Sequence, residues 1–281
     1  MRTLYVSDMD GTLLSTDSRI TPESAAILTG LNHDGALFTV ATARTPATVE
    51  PLLRHTATVP LTVVMTGASL WNRTRRAYES TLFIHPSTCA HVAEVMKSFG
   101  LYPFVYTIDN NSILHAYHNG LLSKMDTKFI EDRRGLELKR FHIDEAYDAA
   151  ALASHTVLYF AMGHSDKIFP AAEVLEKSNG YPTSVSAYVD IWGNDVAILE
   201  VKAPGTSKAD SVVQLKRHYE ADRLVVFGDN LNDLSMMEIA DVAVAVGNAV
   251  DEVKAKADIV IGPNSADSVA RFVYDDFHSH S

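Results

Sequence analysis

The 281-residue chain is 47% hydrophobic, which is enough apolar material for a sizeable core and for two folded units. A formal net charge of −11 argues against nucleic acid or an anionic membrane as a main partner, although a bound metal ion can still attract a phosphorylated substrate. One cysteine excludes an internal disulfide, and the absence of a signal-peptide stretch or an apolar run of about 18 residues predicts a cytoplasmic protein without a membrane span.

Short apolar runs that end in small or polar residues predict the strands of one sheet. They are "TLYVSD" (3–8), "ALFTVATAR" (36–44), "LTVVMTGAS" (61–69), "RLVVFGDN" (223–230), "VAVAVGNA" (242–249) and "ADIVIG" (257–262). Continuous β-branched runs are typical of strands buried on both faces of a parallel sheet. Helical segments such as 21–35 and "SKADSVVQLKRHYE" lie between them. The alternation predicts an α/β fold with a Rossmann-like open parallel sheet.

The middle of the chain has a different texture. Aromatic strand candidates such as "LYPFVYTID" alternate there with helices that end at glycine, such as "HPSTCAHVAEVMKSFG". We therefore expect an inserted α+β cap domain over residues 83–187, with the core formed by 1–82 and 188–281. The mixed-sign segment "EDRRGLELKR" (131–140) reads as a solvated face.

Each predicted core strand carries polar residues to its carboxyl end, where open α/β sheets bind ligands. These residues and the lysine before the fourth core strand are Asp8, Asp10, Thr42, Arg44, Thr66, Gly67, Lys208, Asp229, Asn232, Asp233 and Asn248. Oxygen ligands without nitrogen or sulfur favour a hard cation, and Mg²⁺ is the one we expect. A strand-end carboxylate can also attack phosphorus, while a second one acts as acid and base.

Four segments in order resemble the motifs of the haloacid dehalogenase superfamily: "DMDGTLL", "VATAR", the lysine of "APGTSKAD" and "FGDNLNDLSM". The layout is similar to the Cof-type sugar-phosphatase branch, in which an α/β cap of type IIB is inserted between motifs two and three. The resemblance covers the core at both ends of the chain, and the cap matches in position and length only.

The resemblance implies a role for each motif residue. Asp8 would be the nucleophile, Asp10 the general acid and base, and Lys208 the charge-stabilising lysine. The Mg²⁺ site would take Asp8, the backbone carbonyl of Asp10, Asp229 and Asp233. The substrate and its phosphate would contact Thr42, Arg44, Thr66, Gly67 and Asn232.

Three positions depart from the family pattern. Ala43 replaces the glycine of Thr-Gly-Arg, Thr66 replaces the asparagine of Asn-Gly-Ala, and Ser268 replaces the glycine of Asp-Gly-Val. None of these changes removes a catalytic group, but Thr66 weakens any family-based inference about contacts to the leaving group.

Other interpretations of the same residues have less support. A calcium loop starting at Asp8 would need glutamate at its twelfth position, which is Arg19. His115 and His118 have no third ligand close in sequence, which favours surface or packing roles over a metal site.

The predicted function is Mg²⁺-dependent hydrolysis of small phosphorylated metabolites, sugar phosphates first, through an aspartyl-phosphate on Asp8. A phosphomutase or phosphotransferase with the same intermediate, or a non-catalytic phosphate- or Mg²⁺-binding module, is the alternative. The sequence leaves the physiological substrate and the oligomeric state open.

Overall fold

A computed structural model describes residues 1–145, 152–189 and 195–280. The chain divides into two compact units, Met1–Glu79 with Ser207–Ser281, and Ser80–Thr206. The first unit is called the core unit below and the second the inserted unit. The first boundary lies close to the expected 82/83, whereas the second lies at 206/207 and not at the expected 187/188.

The strands of the described chain are β1 (Thr3–Ser7), β2 (Leu37–Val40), β3 (Leu61–Val64), β4 (Ser69–Asn72), β5 (Ala77–Glu79), β6 (Phe104–Ile108), β7 (Leu114–His118), β8 (Lys139–Ile143), β9 (Thr156–His164), β10 (Ser184–Val189), β11 (Val196–Lys202), β12 (Arg223–Gly228), β13 (Val242–Ala245) and β14 (Ile259–Val260). The helices with described bounds are α1 (Pro22–His33), α2 (Pro46–Leu52), α3 (Pro86–Ser98), α4 (Lys124–Glu131), α5 (Ser165–Glu176), α6 (Lys208–His218), α7 (Leu234–Met237), α8 (Asp251–Lys256) and α9 (Ser268–His280).

The core unit contains the predicted parallel sheet, in the strand order β14-β13-β12-β1-β2. Leu4, Tyr5 and Val6 of β1 are fully buried, as a central strand covered on both faces requires. β3 follows beside β2 through a parallel bridge between Ala41 and Val63, and it also forms an antiparallel sheet with β4 and β5. The α/β fold class is confirmed.

Local sequence signals explain where the helices that flank the site begin. Thr21 caps α1 by accepting a hydrogen bond from the Ser24 backbone N–H, and Pro22 occupies the first helical position. Ser207 caps α6 in the same way, with its side chain accepting from the Asp210 backbone N–H. This cap fixes Lys208 at the first residue of α6, close to the strand ends.

The inserted unit contains a sheet in the order β10-β11-β9-β6-β7-β8, antiparallel except for the β7–β8 pair. β11 lies between β9 and β10, with seven register pairs to β9 from Val196 to Lys202. The assignment of residues 188–206 to the core was therefore wrong. The apolar run "VAILEVK" resembles a core strand in sequence, but its hydrogen bonds belong to the inserted unit.

The two faces of this sheet are covered differently. Tyr159, Ala161 and Leu199 belong to a buried cluster with residues of α3 and α5. Phe160, one residue along and therefore on the opposite face, stacks on Phe129 of α4 with ring centroids 5.2 Å apart.

Lys139 lies on the α4-covered face of the sheet and is 3% exposed. Its Nζ donates to Tyr106 Oη at 2.8 Å and lies 4.9 Å from the Phe141 ring centroid. Burial holds the pKa of Lys139 well below its ordinary value. The prediction that segment 131–140 is exposed to solvent was therefore wrong for Lys139.

Among the helices in the described part of the chain, none combines the length and apolarity needed to cross a bilayer.

Candidate active site

Asp8 follows the last residue of β1 and stays in the ladder, since its N–H donates to the Phe227 carbonyl at 3.0 Å. The chain then turns through Met9–Leu13, with Gly11 at φ +79°. A Cβ on Gly11 would lie 2.3 Å from Oδ2 of Asp229, so only glycine fits there. This close approach brings the end of β12 against the turn that carries Asp8 and Asp10.

Lys208 joins two buried carboxylates. Its Nζ donates to Oδ1 of Asp8 at 2.6 Å and to Oδ1 of Asp233 at 2.7 Å, and its side chain is fully buried. The attraction of Asp233 and Asp8 outweighs burial and raises the pKa of Lys208, so it remains an ammonium. One buried cation therefore faces two buried anions, which leaves the group with an excess of negative charge.

Asp233 is fixed on both of its oxygens. While Oδ1 accepts from Lys208, Oδ2 accepts from the backbone N–H groups of Asp229 at 3.0 Å and Asn230 at 3.1 Å. A Cβ on Gly228 would lie 2.6 Å from the Asp233 Cβ, so the β12 backbone packs directly on this side chain. These contacts give Asp233 the geometry of a positioning residue for Lys208 and Asp229.

Asp229 completes an acidic cluster with Asp8 and Asp233, whose carboxylate oxygens lie within 4.8 Å of one another. Burial raises the pKa of Asp229 to about 6. The Asp233 charge also raises this pKa, whereas the hydrogen bond from Thr12 lowers it. Burial also raises the pKa of Asp8 well above its ordinary value. The charges of Asp233 and Asp229 raise this pKa further, and the Lys208 ammonium opposes the shift. Crowded carboxylates that resist ionisation fit a site built for an additional cation.

Asp10 lies at the more exposed side of the same turn, with 45% of its side chain exposed. Arg44 binds it through two hydrogen bonds, from Nε to Oδ2 at 2.7 Å and from Nη2 to Oδ1 at 2.6 Å. Burial would lower the pKa of Arg44, but the Asp10 hydrogen bonds and charge raise it. This ion pair brings the segment "VATAR", which carries Arg44, into contact with the segment "DMDGTLL", which carries Asp10.

The ends of β2 and β3 are joined by their backbones. The Thr42 N–H donates to the Val63 carbonyl and the Thr66 N–H to the Thr42 carbonyl, each at 3.0 Å. Thr42 is 1% exposed, and its hydroxyl accepts from the Arg44 N–H at 3.1 Å. Thr66 has a left-handed backbone with φ +52°.

Gly67 follows with φ +89°, and a Cβ there would lie 2.1 Å from the carbonyl oxygen of Ser207. The Ser211 hydroxyl donates to the Gly67 carbonyl at 3.0 Å. Gly67 therefore packs the β3 loop against the start of α6, where Lys208 lies. A glycine is required here by both the backbone conformation and the lack of space.

Two supporting contacts were not predicted from the sequence, although Asn248 was among the polar residues expected at the strand ends. The Thr12 hydroxyl donates to Oδ1 of Asp229 at 2.6 Å. The Asn248 side chain donates to the Gly11 carbonyl at 2.7 Å and accepts from the Asn264 N–H. Thr12 is part of the Asp-Gly-Thr motif, so a place near the site could be predicted from the sequence. Its hydrogen-bond partner could not, because that partner depends on the fold. Asn232 lies half-buried in the short turn Leu231–Asp233.

The chain matches the family model of the haloacid dehalogenase-like hydrolases over residues 5–273. It belongs to that family. This confirms the resemblance to the superfamily and its Cof-type branch.

Curated relatives agree with this assignment, and a solved structure shares the fold. The chain is similar to the pyridoxal phosphate phosphatase YbhA of Escherichia coli, with 25% identity over 95% of this chain and 96% of that protein. It is also similar to the 5-amino-6-(5-phospho-D-ribitylamino)uracil phosphatase YwtE of Bacillus subtilis, with 27% identity over 95% of each chain. A haloacid dehalogenase-like hydrolase structure from Bacteroides thetaiotaomicron has a TM-score of 0.77 at 20% identity and covers 99% of this chain and 100% of its own.

As a haloacid dehalogenase-like hydrolase, the chain is an enzyme of the phosphoric monoester hydrolase class. The acidic cluster of Asp8, Asp229 and Asp233 gives this hydrolase a place for a metal ion.

Proposed function

We propose that this haloacid dehalogenase-like hydrolase is a Mg²⁺-dependent phosphatase of small phosphorylated metabolites, with sugar phosphates as the first substrate class and Asp8 as the nucleophile. The observation that carries the proposal is the buried group of Asp8, Lys208 and Asp233 beside Asp229. A carboxylate held by an ammonium at the end of a parallel strand is placed to attack, and the residual negative charge requires a metal ion before a phosphate can approach.

The donor chemistry fits Mg²⁺. Asp8, Asp229 and the Asp10 backbone carbonyl would hold it, because Mg²⁺ prefers oxygen ligands and this cluster offers no nitrogen or sulfur. Asp233 already accepts from Lys208 and two backbone N–H groups, which favours a supporting role over a ligand role. When bound, Mg²⁺ would neutralise charge on the carboxylates and on the phosphoryl oxygens.

The reaction would proceed in two displacements on phosphorus. A carboxylate oxygen of Asp8 forms a bond to phosphorus while the bond to the leaving-group oxygen breaks, and Asp10 donates a proton to that oxygen. Water then attacks the aspartyl-phosphate, Asp10 takes its proton, and phosphate leaves as the Asp8 carboxylate is restored. Lys208 and the Thr42 hydroxyl would bind phosphoryl oxygens, where the transition-state charge develops.

The ion pair of Arg44 with Asp10 affects how Asp10 can reach the leaving group in these reaction steps. Both carboxylate oxygens of Asp10 accept hydrogen bonds from the Arg44 guanidinium. Asp10 can act as an acid only if Arg44 moves to another acceptor, and an anionic or polyhydroxyl leaving group could provide one. Arg44 would thus contact the substrate once it leaves Asp10, in agreement with its predicted substrate-binding role.

A second catalytic function uses the same intermediate. In a phosphomutase or phosphotransferase an acceptor hydroxyl would replace water, and the core unit gives no reason to prefer it. A non-catalytic binding module is disfavoured because binding alone does not require a second carboxylate two residues after the first. Pyridoxal phosphate, a ribitylamino-uracil phosphate and hexose phosphates belong on the substrate panel, because relatives are named for the first two.

The test is phosphate release from that panel with Mg²⁺, with chelator, and with Zn²⁺ in place of Mg²⁺. We expect turnover with Mg²⁺, none with chelator and little with Zn²⁺. Asp8→Asn, which is nearly isosteric, should lower turnover to background while its thermal unfolding stays that of a folded chain. Full activity in a chelated sample, or in Asp8→Asn, would contradict the proposal. Phosphate recovered on an acceptor alcohol would favour the phosphotransferase.

The cytoplasmic location, the absence of nucleic-acid and membrane partners, and the role of the inserted unit as a specificity cap stay predictions.

A further inference from the structure

A second set of titratable side chains lies in the inserted unit, at the edge of the sheet formed by β6, β7 and β8. The residues are Asp109 after β6, His115 on β7, His142 on β8 and Glu145 after β8. They form an unbroken row. Oδ2 of Asp109 lies 3.3 Å from Nε2 of His115, Nδ1 of His115 lies 2.8 Å from Nε2 of His142, and Nδ1 of His142 lies 2.8 Å from Oε2 of Glu145.

Counting hydrogens shows that this row needs a cation. Three contacts require three shared hydrogens, and an ionised carboxylate supplies none, whereas two neutral imidazoles carry only two. If each ring donates to its carboxylate, the two inner nitrogens present lone pairs to each other at 2.8 Å. Only a cation between them, a proton or a metal ion, makes that approach favourable.

Asp109 is well placed to be the ionised end of the row. Its Oδ1 accepts from the backbone N–H groups of Asn111 at 2.9 Å and Ile113 at 2.8 Å. Burial would raise the pKa of Asp109, but these hydrogen bonds and the contact with His115 hold it below its ordinary value. The carboxylate is thus fixed as an acceptor for the outer nitrogen of His115.

We infer that His115 and His142 bind a divalent transition-metal ion, such as Zn²⁺ or Cu²⁺, through the two facing nitrogens Nδ1 and Nε2. Metal-bound imidazoles usually donate their second N–H to a carboxylate, and both rings here have that partner, Asp109 and Glu145. Imidazole nitrogen selects such ions over Mg²⁺. The side chains of the two histidines are 22% and 23% exposed, so water can complete the coordination.

Metal binding requires the two rings to tilt and their nitrogens to move apart, because the nitrogens face each other head-on, with ring centroids 5.1 Å apart and ring planes 20° apart. Tetrahedral Zn–N bonds of about 2.0–2.1 Å place two nitrogens about 3.3 Å apart, against 2.8 Å here. The Tyr117 ring stacks on His142 with centroids 4.4 Å apart and fixes the plane of that ring. Arg140, the register partner of His115, directs Nη1 to the carbonyls of the preceding turn and not to the imidazoles.

The sequence could not indicate this site, because its two ligands are 27 residues apart. Pairing of β7 with β8 brings them together. The neighbour considered from the sequence, His118, is fully buried against Phe104, with ring centroids 4.7 Å apart, and is not part of the row.

The test is calorimetric titration of the full chain with Zn²⁺ at saturating Mg²⁺, in a His278→Gln/His280→Gln background that removes the histidines of the C-terminal tail. We expect one Zn²⁺ per chain that is lost in both His115→Gln and His142→Gln. Asp109→Asn should weaken binding by about 10–100-fold, as loss of an orienting carboxylate does. His91→Gln, whose ring contacts Ser178, is the matched control and should bind normally. Phosphatase activity with Mg²⁺ should be unchanged in all of these variants.

Electron paramagnetic resonance of bound Cu²⁺ provides a readout that does not depend on a variant. The otherwise unchanged chain should show two imidazole nitrogens on copper, and Zn²⁺ should raise the melting temperature. Equal Zn²⁺ stoichiometry with and without the two histidines, or fewer than two nitrogens on copper, overturns the proposal. If one histidine variant does not fold, the copper spectrum and Asp109→Asn decide.

Discussion

Lys208 shows how much a single residue of the site depends on its partners. It is the one cation that the two buried carboxylates of Asp8 and Asp233 share, so its removal leaves both without their counter-charge. We predict that Lys208→Met destabilises the chain by about 3–5 kcal/mol in urea unfolding with chelator present. Lys208→Met/Asp233→Asn should recover part of that loss, because one of the two stranded charges is gone. Neither variant should regain phosphatase activity. Equal stability of the single and double variants would show that Asp233 is not coupled to Lys208.

Asp229 gives a prediction about pH. Its pKa is raised to about 6 in the fold, so between about pH 4 and 6 the folded chain holds a proton that the unfolded chain has lost. The contribution of Asp229 to the free energy of unfolding therefore falls as pH rises through this window, by about 3 kcal/mol in total, and is constant above it. Asp229→Asn should remove that fall. The measurement is urea unfolding of both chains at pH 4.5, 5.5 and 7 with chelator, and parallel curves for the two chains would contradict it.

The residues predicted from the sequence belong to motifs, whereas the missed contacts join residues that are far apart in the chain. Asp8, Lys208 and Asp229 stand in motifs with fixed neighbours, so their convergence at the strand ends could be predicted. The contacts of Thr12 with Asp229 and of Asn248 with Gly11 join residues more than 200 positions apart. Such pairs depend on the exact path of two turns, which residue pattern alone does not specify.

At the level of elements, the alternation of apolar runs was sufficient to predict the strands of the core sheet. It was not sufficient to predict where the inserted unit ends. β11 has the same apolar texture as β12 and β13, and only its partners assign it to the inserted sheet. Lys139 was misread for a related reason. Its charged neighbours in sequence suggest solvent, whereas the strand places it under α4 among Tyr106, Phe129 and Phe141.

The contact between the β3 loop and the start of α6 can be tested at Gly67. Its Cβ would meet the Ser207 carbonyl at 2.1 Å, so Gly67→Ala must displace the helix that carries Lys208. We predict a loss of stability greater than the cost of about 1–3 kcal/mol for a strained backbone alone, together with a lower kcat. Gly35→Ala is the matched control, since Gly35 has φ +97° with open space around its Cβ position. The control should lose some stability and keep its kcat. Equal effects on kcat would mean that the Gly67 packing does not position Lys208.

For the whole molecule, the division into two units raises the question of what the inserted unit contributes. Attack by Asp8 requires that bulk water be excluded from the phosphoryl group, yet a water molecule must later reach the aspartyl-phosphate. A separate unit that closes and opens can satisfy both needs. We propose that Ser80–Thr206 does this and contacts the leaving group of the substrate, as the position of the insertion in the sequence suggests.

The prediction that follows is a difference between two kinds of substrate. Tyr117 on β7 and Lys124 at the start of α4 are the groups to change. Tyr117→Phe and Lys124→Ala should alter the ratio of kcat/KM between two metabolites by about tenfold, the effect of about 1.4 kcal/mol, while hydrolysis of a small aryl phosphate changes little. An aryl phosphate has no sugar-like group to contact, so it reports on the core unit alone. Val92→Ala, on the buried face of α3, is the control and should lower stability without changing the ratio. If both polar variants lower all activities by one common factor, the inserted unit supports the fold and does not select the substrate.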